Sequence, residues 1–301
     1  TLLSGVAGTV NIVHYDLWHR GTANSSGKNR YMMKFLFTRM EEPRSPAWDN
    51  HNNEWLEGVG HEHRAIWDHH WSWNCGEQNR KDSYGGDSIA RLIDRMRDES
   101  PLVNPRVAYE LGTMGDRVVN KVVTLLSEKS EFVRRNASYA LTTMGETAVD
   151  PLIGALESDN WWTRESAAET LADLGLSARH AVPALAAALQ DDSQEVRVHA
   201  AEAIGTAGQM GLDDVGELAA VLRDEDERVR RSAALAMCRI AEYAEEAVPS
   251  LIAALRDKSR YVRGKAVHAL QRIDTSEARD ALMEHLITAR WDPLTEAGSY
   301  Y

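Results

Sequence analysis

Two residues near the start of the chain combine types and spacing that suit oxidative chemistry. His19 closes a predicted strand, and Arg30 follows eleven residues later in the next one, across the turn-forming loop GTANSSGKN. Iron(II) held by two His and one carboxylate keeps open positions where a 2-oxo acid can chelate through its keto oxygen and C1 carboxylate. The far carboxylate of such an acid then needs a rigid cation, and arginine supplies a planar fork for it. A His and an Arg on adjacent antiparallel strands meet that need. Plainer readings fit the same residues: a strand-end histidine bonded to backbone, and a surface or ion-paired arginine. His14 stands five residues before His19 and so falls on the opposite face of a strand. Nothing in the spacing requires Asp16 at the site.

The stretch GTVNIVHYDLWHRGTANSSGKNR, residues 8–30, resembles the C-terminal half of the double-stranded β-helix of phytanoyl-CoA dioxygenase-like, iron(II)/2-oxoglutarate-dependent oxygenases. Gly8-Thr9 matches the turn that opens the family pattern. The resemblance implies His19 as the distal metal ligand, Thr22 and Asn24 in the loop beside the cofactor, and Arg30 as the 2-oxoglutarate anchor. It covers about residues 5–40, and Arg20-Gly21 departs from the small residues that usually follow the His. The family's proximal His-x-Asp/Glu motif lies upstream of this segment, so two of three iron ligands are missing. The first residue is Thr1 rather than Met, and the expectation is a processed, truncated or fragmentary polypeptide. Its parent would couple oxidative decarboxylation of 2-oxoglutarate to hydroxylation with iron(II). This chain alone is expected to be inactive, with no catalytic residue assigned.

The elements that would position such a site are sparse. Val10–Val13 and Tyr31–Thr38 read as strands, and two strands alone are marginal. Residues 46–87 show no clean periodicity but hold Trp48, Trp55, Trp67, Trp71 and Trp73, which predicts an irregular, partly packed linker. His61, His63, His69, His70 and Cys75 lie here without the paired spacing that structural zinc uses. A Trp/His-rich packing segment is the better reading.

The rest of the chain is ordered by repetition. Leu111, Leu141, Leu171, Ile204, Met237 and Leu270 mark equivalent points, with steps of 30, 30, 33, 33 and 33 residues. A fixed period in this range predicts a solenoid of helical pairs. First helices are expected at Val118–Ser127, Val149–Glu157, Val182–Gln190, Val215–Arg223 and Val248–Arg256, with Pro151, Pro183 and Pro249 in first turns. Second helices begin near Phe132, Trp162, Val196, Val229 and Val262, carry Ala-rich faces, and end near Gly145, Gly175 and Gly208. Ser88–Arg97 is amphipathic and predicts the first helix of the array.

Arg134, Arg164, Arg197, Arg230 and Arg263 recur seven residues before each marker, while Asp191, Asp224 and Asp257 follow the last Leu of a first helix by two. Glu128 is the related acid. Stacked repeats superimpose such positions, which predicts a ladder of bidentate Arg–carboxylate bonds between neighbours. The alternative is direct recognition of a phosphate or carboxylate by the row. These units resemble HEAT-like repeats of the phycobilin-lyase subclass over about residues 88–290, in the pattern L-x-D-x-D-x-x-V-R-x-x-A-x-x-A-L-G. A HEAT-repeat deoxyhypusine hydroxylase binds iron through His-Glu pairs. The corresponding slots here read Glu165-Ser166, Val198-His199 and Arg231-Ser232, so the paired motif is absent. The fold class hosts scaffolds and enzymes alike.

Charge narrows the partners. Of a net −12, residues 1–45 contribute +3, so the remainder carries −15. That argues against a general nucleic-acid backbone binder, which needs a basic face, and leaves room for a local basic stripe. It favours another protein, recognised through the solenoid surface. Two cysteines, Cys75 and Cys238, offer no disulfide framework. No run is long enough for a membrane span, and a cytoplasmic setting is expected. The expected fold is mainly all-α: an oxygenase-like β-helix remnant (1–45), a linker (46–87), a HEAT-like solenoid (88–290) and a tail (291–301).

Overall fold

The computed structural model describes residues 44–45, 71–76, 89–97, 104–208 and 215–289. The β-helix remnant expected over 1–45 therefore falls almost wholly outside the described residues, as do His19, Asn24, Arg30 and the patch from His61 to His70. Of the expected linker, residues 71–74 form one helical turn, and Cys75 behind it is buried.

The remainder is helical. Helices α1 (Ile89–Met96) and α2 (Asn104–Gly112) form the first pair. Each following pair joins a short first helix to a long second one: α3 (Val119–Val123) with α4 (Glu131–Met144), and α5 (Val149–Ala155) with α6 (Trp161–Leu174). The series continues with α7 (Val182–Ala188) and α8 (Gln194–Ala207), α9 (Val215–Ala220) and α10 (Glu227–Arg239), then α11 (Val248–Ala254) and α12 (Arg260–Ile273). Helix α13 (Ser276–Ala289) packs on α12. The first helices are shorter than the sequence predicts. Their last turns tighten into 3₁₀ geometry at Thr124–Ser127 and Val221–Arg223, where the chain must reverse into the second helix.

Second helices stack on second helices, α6 on α8, α8 on α10 and α10 on α12. The Ala faces make this possible. Ala137, Ala167, Ala200, Ala201, Ala233 and Ala234 are fully buried, and their small side chains let backbones approach. At Gly205 even a methyl is too large, since a Cβ there would lie 2.7 Å from Ala236 Cα on α10. Leu111, Leu141, Leu171, Ile204, Met237 and Leu270, the residues that mark the period, are all fully buried in one continuous core.

Helix ends differ in detail from expectation. Gly145 and Gly175 close α4 and α6 with φ of 66° and 55°, a conformation that side-chain-bearing residues avoid. Gly208 does not follow: its φ is −82°, in ordinary right-handed space. At the end of α12 the left-handed residue is Asp274, φ 55°. Among the described residues, no helix is long and apolar enough to cross a membrane.

Candidate recognition face and the ladder behind it

Each turn between a first and a second helix brings an acid and an arginine to the same edge of the stack. The acid follows the last Leu of the first-helix segment by two residues, where its carboxylate accepts the backbone N–H two positions on: Asp191 from Ser193, Asp224 from Asp226, Asp257 from Ser259. That local turn aims the other face of the carboxylate at the preceding repeat. Arg164 then donates through Nε and Nη2 to Asp191 at 2.6 and 2.8 Å, Arg197 to Asp224 at 2.8 and 3.1 Å, and Arg230 to Asp257 at 2.7 and 3.1 Å. Nη1 of each arginine turns back onto two carbonyls of its own turn, for example Asp191 and Asp192 for Arg197. Every rung therefore ties two repeats and fixes a turn. Burial opposes ionisation of Asp191 and Asp257, but the arginine bonds and the backbone N–H outweigh it and hold both carboxyls below the ordinary range. These guanidiniums are spent on cohesion, with little left to bind an external anion.

Two members of the row differ. Glu128 serves the repeat before it, accepting from Arg97 Nε at 2.9 Å. Arg134 makes the two carbonyl bonds, to Glu128 and Lys129, but its buried Nε has no hydrogen-bond partner. The acid slot of the next repeat, two residues after Leu156, is filled by Ser158, whose Oγ accepts only the Asn160 N–H. Arg263 likewise bonds the carbonyls of Asp257 and Lys258.

The exposed face of the second helices is chemically uneven. Along α6, Trp161, Glu165, Glu169 and Asp173 recur every fourth residue and form one stripe. On the neighbouring α8 the outward residues are Glu195, His199 and Glu202. Carboxylate oxygens of Glu165 and Glu195 and a ring nitrogen of His199 lie within 4.8 Å of one another, three donors of the kind that can hold a divalent cation. Glu195 is already paired with Arg228 of α10 at 2.7 Å, and Glu202 accepts from Ser232 Oγ at 2.9 Å. Nδ1 of His199 stands 3.4 Å from Glu202, an ion-pair distance without hydrogen-bond angles. In contrast, Glu165, Glu169 and Asp173 form no ion pair and no side-chain hydrogen bond with any described residue. Withdrawal from water raises the pKa of Glu165 and of Asp173, and the Glu169 charge adds to it in both. For Glu165 the His199 and Arg134 charges oppose the shift.

Trp161 caps the stripe, 44% exposed, with its ring edge-on to Trp162 at 6.0 Å between centroids. Trp162 is fixed in turn by Nε1 donating to the Ser127 carbonyl. Cations reach this face from both neighbouring helices: Arg134 of α4 acts on Glu165, and Arg228 and Arg239 of α10 act on Glu195 and Glu202. In the sequence, Glu165 and His199 stand out only as occupants of slots where a His-Glu pair is absent. Their actual neighbours lie across the helix–helix seam, a relation visible in the sequence only as Glu165 against Glu195 and His199, one repeat on.

The family model described as HEAT repeats matches residues 89–172, 149–217 and 215–298. No curated protein matches the chain. Among solved structures, YibA of Escherichia coli is 18% identical over 76% of this chain and 82% of its own, with a TM-score of 0.49. The complex of CpcE and CpcF of phycocyanin lyase from Nostoc sp. PCC7120 is 20% identical, covering 51% of this chain and 98% of that one, TM-score 0.46. An engineered protein is 21% identical over 69% of this chain, which spans 64% of its length, TM-score 0.45.

Proposed function

We propose that this chain, which belongs to the HEAT-repeat family, works as a protein-binding scaffold whose contact surface is the outer face of the second-helix row. The observation that carries the reading is the contrast between the turn-edge ladder and the exposed stripe. The turn-edge arginines are consumed by their own ladder, whereas the α6–α8 stripe holds three carboxylates without partners and an exposed Trp. A stacked array of this kind offers an extended binding surface built from repeats. The net charge of −12 disfavours nucleic acid as the occupant. The test is selection of displayed random peptides against the full chain, followed by hydrogen-exchange mapping of the selected binders. Protection on α6, α8 and α10 is expected. Protection confined to the first helices would sink the reading.

A second reading concerns residues 1–45, which we propose as an oxygenase-like β segment, followed by a Trp/His-rich linker (46–87), the solenoid (88–290) and a tail (291–301). It rests on the motif from His19 to Arg30. One imidazole cannot hold iron by itself, so His19 would need a His-x-Asp/Glu region to complete the ligand set. With that region present, the group would supply oxygen chemistry, Arg30 and Asn24 would seat 2-oxoglutarate, and the solenoid would position the substrate. The check is 2-oxoglutarate turnover with iron(II) by a protein that includes such a region, with and without Arg30→Ala. Equal turnover by both would remove Arg30 from the site.

A further inference from the structure

We propose that Ser158 is a phosphorylation site whose phosphoryl group supplies the missing rung beside Arg134 and locks the junction between the second and third helical pairs. In the turns that lead into α4, α8, α10 and α12, the residue two after the last Leu is Glu128, Asp191, Asp224 or Asp257; in the turn into α6 it is Ser158. The cation of that rung is in place. Arg134 Nη1 donates to the carbonyls of Glu128 and Lys129, both at 3.0 Å, as Nη1 of Arg164, Arg197 and Arg230 does in the turns of their own repeats. The guanidinium is thus anchored like its counterparts, whose Nε and Nη2 reach the acid of the next repeat. In Arg134, by contrast, the buried Nε has no hydrogen-bond partner. Its charge acts on Glu165, but no bond or ion pair joins the two.

Serine at this slot can become the missing anion without a change of sequence. Its hydroxyl oxygen stands one bond from Cβ, so phosphoryl oxygens on it lie as many bonds from Cβ as those of a glutamate carboxylate. Glu128 shows that the slot accommodates that reach, since it meets Arg97 Nε at 2.9 Å. Ser158 is partly exposed at the turn edge, and its oxygen accepts only the Asn160 N–H, at 3.3 Å. The turn itself is already held, because Arg164 Nη1 donates to the carbonyls of Ser158 and Asp159 at 2.8 and 3.2 Å. Helix α6 starts at Trp161 without a side-chain cap, so a dianion three residues ahead also meets the positive end of that helix. Glu157 and Asp159 oppose the added charge, but both are exposed and screened by water. The transfer requires a protein kinase and a nucleoside triphosphate. The Ser158 oxygen bonds to the γ-phosphorus, and the bond from that phosphorus to the β–γ bridging oxygen breaks. The nucleoside diphosphate leaves, and the hydroxyl proton passes to a base of the kinase. The product carries about −1.5 to −2 charge at neutral pH.

The experiment uses the full chain with phosphoserine placed at position 158 during translation, beside the unmodified chain, each with Arg134 and with Arg134→Met. Urea unfolding is expected to show an unfolding constant about tenfold lower for the phosphorylated chain, a gain lost in Arg134→Met. Hydrogen exchange in the turn and the first turn of α6 is expected to slow by a similar factor. The ³¹P resonance reports the contact itself: the phosphate should lose its last proton at lower pH beside Arg134 than beside the methionine of the variant. Unchanged or lower stability of the phosphorylated chain, or a ³¹P titration indifferent to Arg134, overturns the proposal. If millimolar inorganic phosphate stabilises the unmodified chain equally, and only with Arg134 present, a free-anion site replaces the modification. Mass mapping of the chain isolated from its own cells across growth phases is expected to find phosphate on Ser158. Its absence throughout overturns the modification, whatever the synthetic protein does.

Discussion

Replacing Arg197 by Met tests the ladder most directly, because the residue's whole polar inventory is accounted for. Arg197 Nε and Nη2 hold Asp224, and Nη1 holds the carbonyls of Asp191 and Asp192. The two side chains are only 13% and 12% exposed. Methionine keeps the aliphatic volume but leaves the largely enclosed Asp224 carboxylate with only the Asp226 N–H as a partner. Removing one member of a buried pair costs about 3–5 kcal/mol, and water reaching this edge lowers that to about 2–4 kcal/mol. For a cooperative unit of this size, ~1 kcal/mol moves the midpoint by about 2–4 °C, so a fall of roughly 5–15 °C is expected. Asp224→Asn should cost a similar amount. The double variant Arg197→Met/Asp224→Leu should lose less than the sum of its parts, since it strands no charge, with a coupling of about 1–3 kcal/mol. The assays are urea unfolding and hydrogen exchange, the second reading whether α8 and α10 open locally. Single losses under about 0.5 kcal/mol, or strict additivity, would refute the view that the ladder binds the repeats together.

Four other outcomes follow from the same geometry. Ser158→Asp should complete the missing rung with the orphaned Arg134 Nε and stabilise by about 1–2 kcal/mol; the gain should vanish in an Arg134→Met background, measured by urea midpoint. Gly175→Ala should destabilise by about 1–3 kcal/mol through backbone strain alone, since φ is 55° and a Cβ there touches nothing. Gly154→Ala, inside α5 and equally unobstructed, should instead stabilise by about 0.4–1 kcal/mol. His199 has a raised pKa: burial opposes its charge, but Glu202 and the charges of Glu169 and Glu165 outweigh that. Glu195 also faces it. The stabilisation is therefore complete below the ordinary value of 6.5 and is lost as pH rises through the higher folded-state value. The thermal midpoint advantage over His199→Gln should shrink as pH rises, and an advantage independent of pH contradicts the assignment.

The architecture is the part that the sequence determined by itself. Its period of 30 to 33 residues, the Ala-rich faces and the buried marker residues leave helical stacking as the only way to hide so regular an apolar pattern. The arginine and aspartate positions were legible too, because stacking repeats brings equal positions together. What the repeat could not tell was which rung lacks its acid. Ser158 takes the place of an aspartate where the spacing is 30 residues rather than 33, and only the fold shows Arg134 Nε left over. Helix ends were also decided locally, since Gly145 and Gly175 take positive φ while Gly208 does not. The acidic stripe belongs wholly to tertiary structure. Glu165, Glu195 and His199 are 30 and 34 residues apart and share no motif. They meet because small residues let α6 and α8 pack closely, which places outward side chains of one repeat against those of the next.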